Sequence, residues 1–454
     1  GGVHGTGVLA GAIALNMTRY ASWGLYPRLP QTAVQPRFAD ALAPLLTGVG
    51  ALPFGNGRSY GDSCLASGGP LIDMQALNRV RSFDRASGRI VCEAGLLLHE
   101  LIALALPLGW FPPVTPGTSF VTVGGAIAND VHGKNHHATG SFGHHVRWFD
   151  LLRSDGQVLR CSPEQHADWF AATIGGLGLT GLIGAVELQL RPVQGPWLQT
   201  ESIKFGNLGE FFALSQQSAA DWEYTVAWTD CLARGPQLGR GHFLRANHAG
   251  PLAQGRLPGS HARQMPFTPP FSLVNRWSLG AFNTLYYHRQ RQHSCAGVQH
   301  YRPYFYPLDA IQHWNRLYGR QGFQQYQCVL PPAQAEAACS ALLRTIATSG
   351  EGSFLAVLKQ FGDHAAPGWL SFARPGTTLA LDFAQRGEAT RSLFERLDQI
   401  VLEAGGAIYP AKDAHMPAKL FRLAYPRWQE LEARRDPALC SAFWRRVALD
   451  PATN

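Results

Sequence analysis

The chain has 454 residues, with 39 Lys plus Arg against 31 Asp plus Glu, a formal charge of +8, and 46% hydrophobic but only 15% charged residues. This composition excludes a disordered chain, and 49 Gly and 30 Pro without a period exclude collagen and low-complexity classes. Eight scattered Cys with no C-x-x-C pair argue against a disulfide scaffold or a structural zinc site and for a reducing compartment; the length predicts two or three domains.

Residues 1–16 (GGVHGTGVLAGAIALN) carry a short apolar run without a basic start, and read as a leader or cloning remnant before Met17 rather than a signal peptide. Leu71 to Glu93 reads as strand, turn, strand, the second strand being Arg89–Glu93, and Leu97–Leu106 as an apolar helix. Leu101 to Asn129 contains no Asp, Glu, Lys or Arg, but Pro107, Pro112, Pro113 and Pro116 would break any spanning helix, so helix, loop, strand and turn are expected there. Ser154-Asp155-Gly156 between Val146–Arg153 and Val158–Cys161 predicts a hairpin. Ser162 followed by Pro163 predicts a helix start running through Asp168-Trp169-Phe170. Leu182–Leu190 is a strand, and Arg191-Pro192-Val193 closes the first domain. Farther on, Pro332–Thr348 reads as helix, Phe354–Phe361 and Thr378–Phe383 as strands, Glu388–Ala404 as an amphipathic helix, and Arg427–Arg435 as a short helix. The pattern is α+β with mixed sheets, not an alternating βα series.

The charge is uneven. Cys231 to Leu308 holds nine Arg and no Lys, Asp or Glu; taking those nine from 39 leaves 30 basic against 31 acidic residues, so the rest of the chain carries −1. In that segment Arg276, Arg289 and Arg291 lie among Trp277, Phe282, Tyr286 and Tyr287, a mixture suited to anionic lipid headgroups or a phosphate-bearing lipid.

Three Gly-rich loops lie in the first 185 residues. The first, Pro53-Phe54-Gly55-Asn56-Gly57-Arg58-Ser59-Tyr60-Gly61-Asp62, lets backbone amides converge on a phosphate, with Arg58 and Ser59 adding charge and a donor. The second is Pro116-Gly117-Thr118 followed by Thr122-Val123-Gly124-Gly125-Ala126-Ile127-Ala128-Asn129-Asp130, and the third is Gly175-Gly176-Leu177-Gly178-Leu179-Thr180-Gly181-Leu182-Ile183. Each alone is more often a turn. Gly176, Gly178 and Gly181 spell G-x-G-x-x-G, yet they follow a predicted helix and open a predicted strand, the reverse of the Rossmann order, and there is no Walker Lys.

Taken in order, with Asp130-Val131-His132-Gly133-Lys134-Asn135-His136-His137 and Gly140-Ser141-Phe142-Gly143 between them, the loops resemble the FAD-binding domain of the vanillyl-alcohol-oxidase superfamily. Gln325-Tyr326-Gln327, Leu358-Lys359-Gln360-Phe361-Gly362, Leu381-Asp382-Phe383 and Tyr409-Pro410-Ala411-Lys412-Asp413 narrow the resemblance to its decaprenylphosphoryl-β-D-ribose 2-oxidase family, from Tyr20 to Trp444.

That resemblance implies a two-domain α+β PCMH-type fold: an FAD-binding domain over residues 17–195, an inserted α+β substrate domain over 196–404, and a C-terminal return over 405–454. It implies noncovalent FAD held by Gly55, Asn56, Gly57, Arg58, Ser59, Tyr60, Gly61, Asp62, Gly117, Thr118, Thr122, Gly124, Gly125, Asn129, His132, Gly133, Gly178, Gly181, Ile183 and Tyr409. Lys412 and His132 match the family's active-site Lys and site-lining His; Tyr60, Lys134, Trp228, Tyr304, Gln325, Gln327 and Lys359 are expected around the substrate, and no metal is expected. The implied reaction oxidises the C2 hydroxyl of a polyprenyl-phospho-β-D-ribofuranose, the first half of a 2-epimerisation in cell-wall arabinan biosynthesis. A short-chain reductase partner would complete it, and a quinone-like acceptor would take the electrons. Location is expected in the cytoplasm or peripherally at a membrane, with no transmembrane span and no nucleic-acid partner. A soluble sugar, alditol or aldonolactone oxidase of the same superfamily, or a non-catalytic flavin-fold lipid binder, are the alternatives. One position departs from the family pattern: Ala380 stands where Cys is often found, so thiol-directed inhibition at this position should be lost while the reaction survives.

Overall fold

The computed structural model describes residues 19–259 and 263–450, so the leader proposed for residues 1–16 lies outside the described residues. Two sheets organise them. A five-stranded sheet runs in the order Val80–Asp84, Arg89–Glu93, Leu182–Gln189, Val146–Leu152, Val158–Cys161. An eight-stranded sheet runs in the order Ser294–His300, Trp197–Phe205, Gly241–His248, Tyr224–Thr229, Ala356–Phe361, Gly376–Ala384, Phe323–Leu330, Ala407–Ile408. A small parallel sheet of Ala33–Val34, Leu71–Asp73 and Leu52–Phe54 leads into the first Gly-rich loop.

The local signals explain most of this. The hairpin at Ser154-Asp155-Gly156 forms, with Leu152 opposite Val158 and Gly156 in the left-handed region at φ 85°. Thr122 caps the short helix Val123–Ala128, its hydroxyl accepting from the Gly125 amide at 3.1 Å. Helix Glu388–Glu403 buries Leu393, Phe394, Leu397 and Val401, one face at helical spacing; each such side chain contributes about 2 kcal/mol when fully buried. It packs with helix Ala335–Ser349 over the eight-stranded sheet, where Tyr326, Cys328, Leu379 and Leu381 join the same core.

Two readings are corrected. Ser162 does not cap a helix: its hydroxyl accepts from the amides of Glu164 and Gln165 in a tight turn. The helix waits until Ala167, because His166 sits at φ 51°, outside the helical region. The Arg-rich segment also holds more regular structure than its weak periodicity suggested, namely strands Gly241–His248 and Ser294–His300 and the 14-residue helix Arg276–Arg289.

Among the described residues, no helix is long and apolar enough to cross a membrane. The C-terminal strand Ala407–Ile408 pairs with Cys328 and Val329, after which the chain returns to the first loop region through bridges Ala51–Leu439 and Ala66–Ser441.

Candidate active site

A cavity of about 940 Å³ has the three Gly-rich loops on one side and one face of the eight-stranded sheet on the other. Strand alternation builds that second wall: Val226 and Trp228, Gln325 and Gln327, Val357 and Lys359 each lie two residues apart and so share a face. Antiparallel register sets Gln325 opposite Asp382, and Gln327 opposite Ala380. Lys412 enters on a short turn, Pro410–Lys412, held from both sides. The Tyr409 amide donates to the Gln327 carbonyl at 2.9 Å, and the Tyr60 amide donates to the Ala411 carbonyl at 2.9 Å.

The loop wall suits a pyrophosphate. Among the described residues the amides of Asn56, Gly57, Arg58 and Ser59 donate to no acceptor, which leaves a row of N–H groups for an anion. Gly57 and Gly178 adopt φ of 61° and 73°, and a Cβ on Gly55 would lie 2.5 Å from Thr122 Oγ1. Asn56 Nδ2 donates to the Phe120 carbonyl at 2.7 Å, tying the first loop to the second. Arg58 lies over the Trp23 ring, 4.2 Å from its centre, and burial lowers its pKa.

Every residue expected from the loops to touch the cofactor lines the cavity except Gly61 and Asp62. A Cβ on Gly61 would lie 1.7 Å from the Asp413 carbonyl oxygen, so this Gly permits a backbone approach instead. Asp62 turns away into an ionic ladder. Its carboxylate takes Arg446 Nε at 3.0 Å and Nη2 at 2.9 Å, and Nη2 also donates to Asp413 at 2.8 Å. His415 continues the ladder, with Nδ1 3.1 Å from Asp413 and Nε2 3.1 Å from Asp398, which also accepts from the Tyr326 hydroxyl at 2.9 Å. Burial opposes charge on His415, but the two carboxylates prevail and raise its pKa to about 9.

The cavity's own cations are treated in the opposite way. Burial lowers Lys412 to about 7, against the pull of Asp382 and with the push of Lys359. Burial lowers Lys359 to about 8, and burial with repulsion from Lys359 lowers Lys134 to about 7. Among the described residues, the side-chain ammonium of neither Lys412 nor Lys359 forms a hydrogen bond or ion pair; Lys412 Nζ lies over the Tyr60 ring, 3.7 Å from its centre, and Lys134 Nζ donates to the Phe305 carbonyl at 3.0 Å. His132 is buried among Phe361, Phe372 and Tyr409, and desolvation, with Lys359 next, drops its pKa well below the free value. Gln327 Nε2 donates to His132 Nε2 at 3.1 Å and to Thr378 Oγ1 at 3.2 Å, while His132 Nδ1 is buried with no partner among the described residues. An orphaned polar atom beside a Gly-lined anion cradle fits a polar group in the cavity.

The remaining expected substrate residues also line it. Trp228 Nε1 donates to the Phe354 carbonyl at 2.9 Å, and the Tyr304 hydroxyl donates to the Tyr224 carbonyl at 3.4 Å. His136 and His137 are used structurally: His136 Nδ1 accepts from the Gly362 amide, and His137 Nε2 bonds the Trp222 carbonyl.

Three contributors escaped sequence reasoning. Asp382 takes Gln325 Nε2 at 2.8 Å, and burial raises its pKa to about 7; the alternation of polar Gln325, Gln327 and Asp382 along apolar strands was its available signal. Asp309 accepts from the Ser119 amide and hydroxyl, both at 2.9 Å, closing the second loop from 190 residues away. Trp23, stacked under Arg58, has no local signal.

This cradle, facing unpaired cations, agrees with the match of residues 39–162 to the family model described as "FAD binding domain". The molecule is an FAD-dependent oxidoreductase with an α+β FAD-binding fold. It is 38% identical to decaprenylphosphoryl-beta-D-ribose oxidase of Mycolicibacterium smegmatis over 422 residues, 88% of this chain and 90% of that one. An uncharacterized protein in the mprA 5′ region of Streptomyces coelicolor is 36% identical over 78% of this chain and 100% of its own. L-gulonolactone oxidase of Mus musculus is 35% identical over 140 residues, 30% of this chain and 31% of that one. The chain belongs to the decaprenylphosphoryl-β-D-ribose oxidase family.

Proposed function

We propose that the protein oxidises the C2 hydroxyl of a polyprenyl-phospho-β-D-ribofuranose to the 2-keto sugar, the first half of a 2-epimerisation. The observation that carries this reading is Lys412, a lysine on the cavity wall that forms no ion pair among the described residues and whose pKa falls to about 7. At neutral pH a large fraction of such an amine is free to accept the proton of the sugar hydroxyl, and the ammonium so formed opposes negative charge building nearby. Bound FAD supplies a two-electron acceptor for the hydride that leaves the sugar carbon. The open amides of Asn56 to Ser59 would hold its pyrophosphate, and it would be bound noncovalently.

Lys134 and Lys359 offer cationic contacts to the sugar phosphate. Gln325 and Gln327 bind sugar hydroxyls, and Tyr60, Trp228 and Tyr304 supply apolar wall. His132 stays neutral and fixes the Gln327 amide through their hydrogen bond. Residues 17–195 with 405–454 form the FAD-binding part in this reading, and 196–404 the substrate part. A short-chain reductase would complete the epimerisation, and a quinone-like acceptor would reoxidise the enzyme.

Anaerobic mixing tests the reading. Bleaching of the flavin by the polyprenyl-phospho-ribose but not by free ribose, alditols or aldonolactones is expected. Bleaching by the free sugars would make this an oxidase of soluble sugars, as the partial likeness to L-gulonolactone oxidase would favour. Bleaching by neither would leave only lipid binding.

A further inference from the structure

Helix Arg276–Arg289 has one buried face and one exposed apolar face. Leu279, Asn283 and Tyr287 recur every four residues and are buried against the rest of the molecule. On the other side Trp277, Ala281 and Leu285 recur at the same spacing and face outward, with Trp277 83% and Leu285 73% exposed. The preceding loop adds Phe267 at 64%, Phe271 at 68% and Leu273 at 42%. Of the five exposed aromatic side chains among the large apolar residues described, four (Phe267, Phe271, Trp277 and Phe282) thus belong to one short stretch, which is not how a soluble surface distributes them.

The charge around this stretch is one-sided. No Asp or Glu occurs from Cys231 to Leu308. Arg240 and Arg245 are taken up by Asp230 and Glu201, whereas Arg256, Arg263, Arg276, Arg289 and Arg291 form no ion pair among the described residues. The stretch also borders the cavity: Tyr286 and Arg289 line it from the helix. Arg263–Gln264 pairs with Ile311–Gln312, both of which line it too.

We infer that this stretch is an interfacial docking surface for an anionic lipid bilayer. Trp277, Leu285, Phe267 and Phe271 enter the headgroup boundary, and Arg276 and Arg291 meet lipid phosphates. Aromatic and aliphatic side chains flanked by unpaired arginines match that chemistry, and a protein partner would more often bring acids to an interface this basic. Docking there would turn the cavity mouth toward the membrane, so that a lipid-linked sugar enters without leaving it. The substrate part of this inference rests on the reading above; the docking itself does not.

Holoenzyme is mixed with phosphatidylcholine vesicles with and without phosphatidylglycerol and floated on a density gradient, in the absence of sugar. Co-flotation with the anionic vesicles is expected, weakened at high salt. Arg276→Gln with Arg291→Gln should weaken it about 25-fold, at about fivefold per arginine. Trp277→Ser with Leu285→Ser should weaken it at least about tenfold. Trp277→Tyr should retain most of it, and flavin content should be unchanged in all of these. Absence of flotation with anionic vesicles overturns the inference. So does a wild-type dimer in sedimentation that the Ser double variant converts to monomer, which would make the stripe a contact between two copies. Flotation without flavin bleaching by the lipid-linked ribose would keep the docking surface and remove the proposed reaction.

Discussion

Lys412 and Asp413 are consecutive, yet they face opposite electrostatic environments. Toward the cavity, the Lys412 and Lys359 ammonium groups form no ion pair among the described residues, and burial pulls their pKa values down to about 7 and about 8. Behind the same turn, Asp413, Arg446, Asp62, His415 and Asp398 alternate in a ladder of ion pairs; burial would raise the Asp413 pKa, but Arg446 and His415 outweigh it and hold it below the carboxylate range. The ladder fixes the turn, and the turn presents an unpaired amine. Unmatched charge sits where chemistry is proposed, and matched charge sits where the chain needs only to be held.

The two sides should therefore respond to mutation in opposite ways. The largest effect is expected for Lys412→Met: the anaerobic flavin reduction rate should fall by about 10³-fold, as for loss of a positioned base and cation. Yet the variant should be more stable in urea by about 1 kcal/mol at pH 6, because a desolvated ammonium is gone. Loss of activity together with loss of stability would break the comparison.

Asp413→Asn should act the other way. Removing the buried Asp413 carboxylate from partly buried Arg446 is expected to cost about 3 kcal/mol in urea unfolding, with Arg446→Met in the same background recovering part of it. An Asp413→Asn protein of wild-type stability would remove the ladder's assigned role.

The pH dependence sharpens the contrast. His415 has a folded pKa of about 9, raised from 6.5, so its stabilisation is fully present below 6.5 and is lost as pH rises through 9. Lys412 is lowered from 10.5 to about 7, so its penalty is full below 7 and is relieved as pH rises from 7 to 10.5. His415→Asn should flatten the loss between pH 6.5 and 9, an effect of about 3 kcal/mol, whereas Lys412→Met should flatten the opposing gain above pH 7. Urea midpoints across that range measure both.

The smallest effect is expected at Ala380, which lines the cavity opposite Gln327. Ala380→Cys should leave the reduction rate within about twofold, since hydride transfer uses no thiol, while creating a new adduct site for thiol-directed electrophiles. Peptide mapping must separate it from Cys64 and Cys295, which also line the cavity; burial raises the Cys64 thiol to about 12. An adduct confined to those two would contradict the prediction.

What the sequence made legible was local. The hairpin at Ser154-Asp155-Gly156, the Thr122 cap and the apolar face of Glu388–Glu403 each follow from a few neighbouring residues. The three loops and Lys412 were legible through motif order. Asp62 was assigned to the cofactor because it ends the first loop, but its partner Arg446 lies 384 residues away. Asp309 and Trp23 were invisible for the same reason, since the contacts that give them a role are long-range. The helix Arg276–Arg289 was obscured by having apolar residues on both faces, which blurs the single amphipathic stripe that reveals a surface helix.

The central claim is that the cavity oxidises a lipid-linked ribose at C2. Its most direct test is single-turnover anaerobic bleaching with polyprenyl-phospho-ribose carrying deuterium at C2. Slowing by a primary isotope effect, with none from deuterium at C3, is the predicted result. Equal rates for the labelled and unlabelled sugar, in a regime where bleaching follows chemistry rather than binding, would contradict it.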